Sequence, residues 1–178
     1  NNLQLRRDSN LSIKFSGLIT KKILSNELIK SFALPKKIHG TIFSKSTSGM
    51  KYGRHIDNAY MSSGRADLSF TVFLNCKKKY EGGALSIQGL NSEEKFKLDA
   101  GEIIIYPSTY LHSVEKVIDG ERLVFIGWIE SYVKSIEERE YLFDLDAAAR
   151  SLLAKYGRSE EVDLIYKSYS NFLRRLGN

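Results

Sequence analysis

The middle of the chain, from about residue 41 to 129, consists of short apolar runs separated by turn residues. The runs are rich in β-branched and aromatic side chains, and pairs such as Gly82-Gly83 and Asp119-Gly120 lie between them. Short runs of this kind are typical of an antiparallel sandwich or barrel. The predicted strands are residues 68–75, 84–88, 95–98, 102–106, 111–117 and 122–129.

Helical patterns flank this region on both sides. Residues 21–34 carry apolar side chains at helical spacing and end before Pro35, which predicts one short helix. Ser135 begins a capping-box pattern, and Ser159 begins a second helical pattern of the same kind. We therefore expect a mainly β protein with flanking helices. It would form a single domain over residues 1–178, with the β core at about 41–130 and C-terminal helices at about 135–176.

Composition narrows the class of protein. The chain is 42% hydrophobic and 27% charged, and no apolar run approaches the ~18 residues of a membrane span. The start shows no secretory pattern, and the lone Cys76 rules out an internal disulfide, so we expect a cytoplasmic protein without a membrane partner. The net charge of +6 comes from scattered basic residues, which does not indicate nucleic acid. Because the sequence begins with Asn1 rather than Met, we also expect preceding residues to be missing from it.

A polar stretch at residues 52–59, YGRHIDNA, offers the first candidate for chemistry. His55 and Asp57 are two residues apart, so on a strand they would share a face and could bind one metal ion. An isolated His-x-Asp pair is more often an ordinary polar pair, so a third ligand is required. His112 begins a predicted strand and could lie across a sandwich from the pair, whereas His39 matches no pattern and is expected to be a structural or surface histidine. Two imidazoles and one carboxylate form the open ligand set of non-haem Fe(II) oxygenases.

Arg122 is a candidate for binding an anionic ligand. It follows the Asp119-Gly120 pair and begins an apolar predicted strand. A guanidinium pairs with a carboxylate through a planar fork, and such a charge-assisted bond is worth about 1.5 to 3 kcal/mol. A structural Asp or Glu could equally be its partner. The chain order His-x-Asp, His, Arg favours an anionic ligand over a structural carboxylate as the partner of Arg122.

That order of residues resembles a known family. The matching stretches include YGRHIDNA, YEGGALSI, LDAGEIIIYPSTYLHSV and GERLVFIGWIES, and further matches lie at residues 1–5, 65–75 and 142–146. The chain resembles the Fe(II)/2-oxoglutarate-dependent oxygenases. Within them it is most similar to the bacterial PKHD-type hydroxylases, which are relatives of the prolyl 4-hydroxylases.

The resemblance implies a fold, cofactors and site residues. It implies a double-stranded β-helix, or jelly roll, with Fe(II) held by His55, Asp57 and His112. Arg122 would hold the distal carboxylate of the cosubstrate 2-oxoglutarate. O2 would be the second cosubstrate, ascorbate is a further candidate cofactor, and the reaction would hydroxylate an unactivated C–H bond.

Some positions depart from the family pattern. Relatives usually have a tyrosine several residues before His-x-Asp that helps to hold the cosubstrate, but Ser46 stands there in this chain. Tyr106, or alternatively Tyr52, could take its place. The polar segment 43–51 is expected to form a mobile lid. Ser69 and Thr71, which share a face with Asp67 on a predicted strand, either line the pocket or are ordinary strand residues, and the same holds for Arg65. Trp128 and Phe125 are expected to be core residues.

The substrate is the least determined part of the prediction. The family name favours a prolyl residue in a peptide or protein, and a free amino acid or other small metabolite is the alternative. A nucleic-acid demethylase is disfavoured because the stretch RLVFIGWIES offers no second arginine after Arg122. A non-catalytic iron-binding module is also disfavoured, because a degenerate domain has little reason to keep the three ligands and Arg122. The oligomeric state stays open.

Overall fold

A computed structural model describes residues 2–89 and 91–178. The chain divides into two compact units, one containing Ile38–Glu130 with the residues up to Thr20, and the other containing Lys21–Lys37 with Ser131–Asn178. The β core at about 41–130 falls within the first unit. The single-domain organisation stays a prediction.

The strands form two main antiparallel sheets and one small hairpin. They are β1 Leu3–Gln4, β2 Pro35–Thr47, β3 Tyr52–His55, β4 Tyr60–Met61, β5 Gly64–Arg65, β6 Leu68–Phe73, β7 Tyr80–Gly82, β8 Leu85–Gln88, β9 Glu93–Phe96, β10 Ile103–Pro107, β11 His112–Val114 and β12 Val117–Ser131. The larger sheet has the order β1-β2-β12-β6-β10, with β7 paired to β12, and the smaller sheet has the order β3-β11-β8-β9. The prediction of a mainly β jelly roll with flanking helices is confirmed.

Strand β6 lies in the larger sheet between β12 and the edge strand β10. All six of its residues are buried, which explains why its sequence LSFTVF reads as an almost continuous apolar run. Alternation along the strand places Ser69 and Thr71 on one face. These two small hydroxyl residues line the central pocket described below.

Strand β12 is longer than the sequence predicted. The pair Asp119-Gly120 was interpreted as a turn, but both residues lie within β12, where the register with β7 shifts between Val117 and Asp119. Gly120 has a φ of 77°, and a Cβ there would overlap the Lys79 carbonyl group. Glycine is therefore needed for a bulge within a continuous strand, and not for a reversal of the chain.

The segment 43–51 is mostly strand, so the prediction of a mobile lid is wrong. Strand β2 continues to Thr47, and the turn that follows is tied to the start of β12 by two backbone bonds, Gly49 N–H to Val117 O at 2.8 Å and Val117 N–H to Met50 O at 2.9 Å. The polar composition has another cause. Ser44 and Ser46 are buried on the face of β2 that lines the pocket.

Two helices replace the single one predicted over residues 21–34. Helix α1 spans Asn10–Leu24 and helix α2 spans Glu27–Ala33. The break occurs at Asn26, whose side-chain oxygen accepts a hydrogen bond of 3.0 Å from the Ile29 N–H. An asparagine in this position caps a new helix and ends the apparent periodicity.

The C-terminal helices of the second unit begin where the capping patterns predicted. Helix α3 spans Ile136–Tyr156 and α4 spans Glu160–Leu176. Ser135 accepts a bond from the Glu138 N–H, and Ser159 accepts one from the Val162 N–H. A buried cluster in this unit contains Leu34, Val133 and Leu142, with Tyr169, Leu173 and Leu176 packed against it.

Within residues 2–89 and 91–178, no helix has both the length and the apolar character needed to cross a bilayer.

Candidate metal and cosubstrate site

The structure brings His55, Asp57 and His112 together in the first unit. His55 ends β3, His112 begins β11, and the two residues are direct partners in the antiparallel ladder between these strands. One ligand atom from each of the three residues lies within 4.8 Å of the others. The Nε2 atoms of His55 and His112 lie 3.8 Å and 3.7 Å from the Asp57 carboxylate oxygens. Two nitrogens and one carboxylate therefore face one small space.

Backbone hydrogen bonds orient both imidazoles. His55 Nδ1 lies 2.9 Å from the Gly53 carbonyl oxygen, and His112 Nδ1 lies 2.9 Å from the Tyr110 carbonyl oxygen. A carbonyl can only accept, so each Nδ1 carries the proton and each Nε2 presents its lone pair to the shared space. Burial lowers the pKa of His112, which favours the neutral form that binds a metal. Both rings are thus held in the tautomer that a metal ligand requires.

Two buried serines hold the Asp57 carboxylate. Ser69 Oγ donates to Asp57 Oδ2 at 2.5 Å, and Ser108 Oγ lies 2.7 Å from Ser69 Oγ. A hydroxyl has one proton, so Ser108 is the donor in the second bond. The sequence left Ser69 open between a pocket residue and an ordinary strand residue, and it was not among the predicted site residues. No sequence signal indicated Ser108, which is brought in by the turn after β10.

Replacing Ser69 by alanine should weaken metal binding. Asp57 would keep its charge but lose the bond that fixes one oxygen, and outer partners of this kind are typically worth about 10- to 100-fold in metal affinity. Competition of Mn(II) with a calibrated chelator would measure the change. Ser86→Ala, which removes an equally buried serine hydroxyl from β8, is the matched control. Equal metal affinities for the two variants would show that the serine bond does not support the site.

A pocket of about 160 Å³ extends from the metal ligands between the two sheets. Arg122 lies on its wall and is only 3% exposed. None of the acidic residues that the structure describes pairs with this arginine, its Nε atom has no hydrogen-bond partner, and its guanidinium lies 5.6 Å from the centre of the Phe73 ring. A buried cation without an acidic partner is costly, so the pocket favours an anion at this position.

Tyrosines lie on the same pocket. Tyr106 is buried, its ring is 5.0 Å from that of His112, and burial raises the pKa of its phenol well above the usual value, so the phenol is neutral at physiological pH. Tyr52 is half exposed and packs edge-on against His55 at 4.5 Å. Both residues, together with Ser46, line the pocket. Burial lowers the pKa of Arg122, and Tyr106, unlike Tyr52 and Ser46, is among the neighbours that raise it.

Trp128 is a pocket residue that the sequence interpretation placed in the core. Alternation on β12 puts Arg122, Val124, Ile126 and Trp128 on one face, and all four line the pocket. The indole Nε1 of Trp128 is buried and has no hydrogen-bond partner among the residues that the structure describes. The even spacing from Arg122 was the available signal. Phe125, on the opposite face, is fully buried as predicted.

Arg65 and His39, which the sequence also offered as candidates, do not line the pocket. Arg65 donates from Nε to Asp67 Oδ1 at 2.8 Å, and this pair lies outside the set of pocket residues. His39 is likewise outside this set, and its two ring nitrogens are taken up by Ser63 Oγ at 2.9 Å and the Arg65 carbonyl oxygen at 2.8 Å. A histidine with both nitrogens bonded is structural, as expected from the sequence.

Comparison with known proteins identifies the family. The model of the 2OG-Fe(II) oxygenase superfamily matches residues 41–130, and that of the PKHD-type hydroxylase C-terminal domain matches residues 137–177. A PKHD-type hydroxylase from Prochlorococcus marinus strain MIT 9215 is 77% identical over 177 residues, covering 99% of this chain and 80% of the relative. The chain belongs to the PKHD-type hydroxylases. A second relative, from strain MIT 9515, is 72% identical with the same coverage.

Solved structures show the same fold at lower identity. A Pseudomonas putida prolyl-4-hydroxylase superposes with a TM-score of 0.54 at 19% identity, covering 73% of this chain and 71% of that one. A 2OG-Fe(II) oxygenase family oxidoreductase from Burkholderia pseudomallei gives a TM-score of 0.52 at 14% identity, covering 73% of this chain and 64% of that one. At these identities the likeness establishes the jelly-roll fold and nothing about the substrate.

Family membership implies an oxygenase that uses Fe(II), 2-oxoglutarate and O2. The residues present are suited to these groups. Two imidazoles and one carboxylate form the ligand set of a non-haem Fe(II) centre, and Arg122 offers a positive charge with no acidic partner among the described residues. Ascorbate, the further cofactor expected from the sequence, stays a prediction.

Proposed function

We propose that this PKHD-type hydroxylase acts on a prolyl residue within a peptide or protein, with His55, Asp57 and His112 holding Fe(II) and Arg122 holding 2-oxoglutarate. The observation that carries the site assignment is the presence of the ligand cluster and an unpaired buried arginine on one pocket.

Each residue of the proposed site has a distinct task. When bound, iron and 2-oxoglutarate together with O2 supply the chemistry that hydroxylates an unactivated C–H bond. His55 and His112 present their Nε2 atoms, and Asp57, held by Ser69, presents a carboxylate oxygen. Arg122 binds and orients the distal carboxylate of 2-oxoglutarate, and the Tyr106 ring, packed against His112, closes the wall between them.

The charges on the pocket argue against a free amino acid as substrate. Binding its ammonium group would require an acceptor of negative charge. Among the described residues that line the pocket, Asp57 is the only acidic one, and it belongs to the ligand cluster. A prolyl residue within a polypeptide has no ammonium group and needs only neutral hydrogen-bond partners.

Neutral hydrogen-bonding groups line the same pocket. The Asn2 side chain donates to Ser44 Oγ at 2.7 Å, and the Gln4 side chain donates to Asn2 Oδ1 at 3.4 Å. The side-chain oxygen of Gln4 can then accept a hydrogen bond from a ligand in the pocket. The buried Trp128 N–H is a further donor without a partner. Carboxamide and indole groups of this kind suit the carbonyl and N–H groups of a peptide backbone.

Exposed apolar side chains lie directly beside the ligands. Ile56, between His55 and Asp57, is 56% exposed, and Leu111, next to His112, is 40% exposed. Apolar residues around a site favour contact with a macromolecular surface over a small polar metabolite. Both features support a polypeptide substrate.

A parallel succinate-release assay would test the substrate class. Proline-containing peptides, free amino acids and methylated oligonucleotides would each be incubated with the Fe(II)-loaded protein, and their masses would be measured. We expect succinate release coupled to a gain of one oxygen on a peptide proline, and no gain with the Asp57→Asn variant. Turnover with free amino acids alone would contradict the polypeptide proposal in favour of a metabolite. Formaldehyde release from an oligonucleotide would contradict both.

A further inference from the structure

Two of the buried side-chain polar atoms that lack a hydrogen-bond partner within the described part of the chain lie next to each other. They are the hydroxyl of Tyr80 and the Nε of Arg122, and these residues are only 5% and 3% exposed. A buried donor or acceptor without a partner typically costs about 1 to 3 kcal/mol, so such atoms are uncommon. One of them is a donor, and the other can accept.

The two side chains are neighbours. Tyr80 on β7 pairs with Gly120 on β12, two residues before Arg122. A Cβ placed on Gly83 would lie 3.2 Å from Arg122 Cδ and 3.3 Å from Tyr80 Cε2, so the Tyr80 ring and the arginine stem converge above this glycine. The φ of Gly83 is 64°, a conformation that also favours glycine. Lys97 covers the Tyr80 ring, with its Nζ 4.3 Å from the ring centre.

We propose that Tyr80 is a positioning residue for Arg122. In the occupied site these two unpartnered atoms bond to each other: the Tyr80 hydroxyl accepts from the Arg122 Nε–H, and the remaining guanidinium N–H groups face the distal carboxylate of 2-oxoglutarate. This inference rests on the proposed role of Arg122. Tyr80 is not among the residues that line the pocket, so it acts through the arginine and not on the ligand.

The chemical character of Tyr80 explains why a tyrosine suits this place. A carboxylate would orient the arginine equally well, but it would neutralise the charge that the ligand needs. Burial raises the pKa of the Tyr80 phenol, and the nearby Arg122 charge lowers it only in part, so the hydroxyl stays neutral at physiological pH. A neutral acceptor orients the guanidinium and leaves its full charge for the incoming anion.

The test is anaerobic calorimetry with Mn(II)-loaded protein and two ligands. N-oxalylglycine copies both ends of 2-oxoglutarate, whereas oxalate chelates the metal but has no distal carboxylate. We expect Tyr80→Phe to lower the affinity for N-oxalylglycine by about tenfold, which is the usual scale for a hydrogen bond to a charged group. Affinity for oxalate and for Mn(II) should be unchanged. Tyr169→Phe, a partly buried tyrosine of the second unit, is the matched control.

A double variant separates positioning from general damage. A lysine at position 122 has a methylene group where arginine has its Nε–H, so it lacks the donor of this bond. Tyr80→Phe should therefore cause no further loss of N-oxalylglycine affinity in an Arg122→Lys background. Equal losses for N-oxalylglycine and oxalate, or additive losses in the double variant, would overturn the inference. If Arg122→Ala weakens N-oxalylglycine and Tyr80→Phe does not, the inference fails and the proposed site stands. If neither variant has an effect, the proposed role of Arg122 fails as well.

Discussion

Replacing Asp57 by alanine should weaken Fe(II) binding by more than about a hundredfold. Outer partners of metal ligands are already worth about 10- to 100-fold, and Asp57 would supply the only negative charge of the ligand set. The two imidazoles would remain, but neutral ligands alone stabilise a divalent cation poorly. Anaerobic equilibrium dialysis against Fe(II), with Mn(II) titration followed by electron paramagnetic resonance, would measure the loss.

The fold should survive this change. Asp57 follows the end of β3 and lies at the edge of the pocket, outside the buried apolar clusters. Circular dichroism and the unfolding temperature of Asp57→Ala should therefore stay close to those of the parent protein. Asp57→Asn keeps the shape and the Ser69 contact while removing the charge, so it should lose most of the same affinity. The exposed Asp163→Ala is the control. Undiminished iron binding in Asp57→Ala and in His112→Ala would remove the proposed metal site.

Replacing Arg122 by lysine should weaken 2-oxoglutarate binding by about tenfold or somewhat more, equivalent to about 1 to 2 kcal/mol. Lysine keeps the positive charge but not the planar fork that binds a carboxylate through two parallel bonds. Arg122→Ala removes the charge as well, and a loss of about a hundredfold is expected. The measurement is calorimetry with Mn(II) in place of iron, without O2.

The loss should depend on the distal carboxylate. Oxalate, which lacks that group, should bind the parent and Arg122→Lys with similar affinity. Arg54→Lys is the matched control, because Arg54 pairs with Glu93 on the exposed part of the smaller sheet. If Arg122→Ala binds 2-oxoglutarate as well as the parent does, the distal carboxylate is held elsewhere.

The sequence by itself determined the residues of the proposed site and the class of fold. The spacing of His55 and Asp57 predicted that they could bind one ion, because side chains two apart on a strand share a face. In the structure Asp57 lies just beyond the end of β3, and its carboxylate still faces His55. The chain order of His112 and Arg122 added the remaining candidates. Local chemistry also determined the starts of α3 and α4, since a serine cap acts on N–H groups only three residues away.

Other features were decided by contacts between distant segments. The pair Asp119-Gly120 has the composition of a turn, but pairing with β7 turned it into a bulge within β12. Segment 43–51 has the composition of a loop, but bonds to Val117 made it a strand and an anchored turn. In both cases tertiary hydrogen bonds outweighed local preference, which is worth only a fraction of a kcal/mol per residue.

The supporting residues of the site were the least accessible from the sequence. Ser108 reaches Ser69 from 39 residues away, and Tyr80 reaches Arg122 from a different strand. Serine and tyrosine are common residues with many ordinary roles, so nothing in their local pattern distinguishes these two. Their significance comes from burial beside a charged group, where a hydrogen bond is strong and an unmade one is costly. Burial of this kind exists only after the two sheets have packed together, and for that reason the tertiary structure alone decides it.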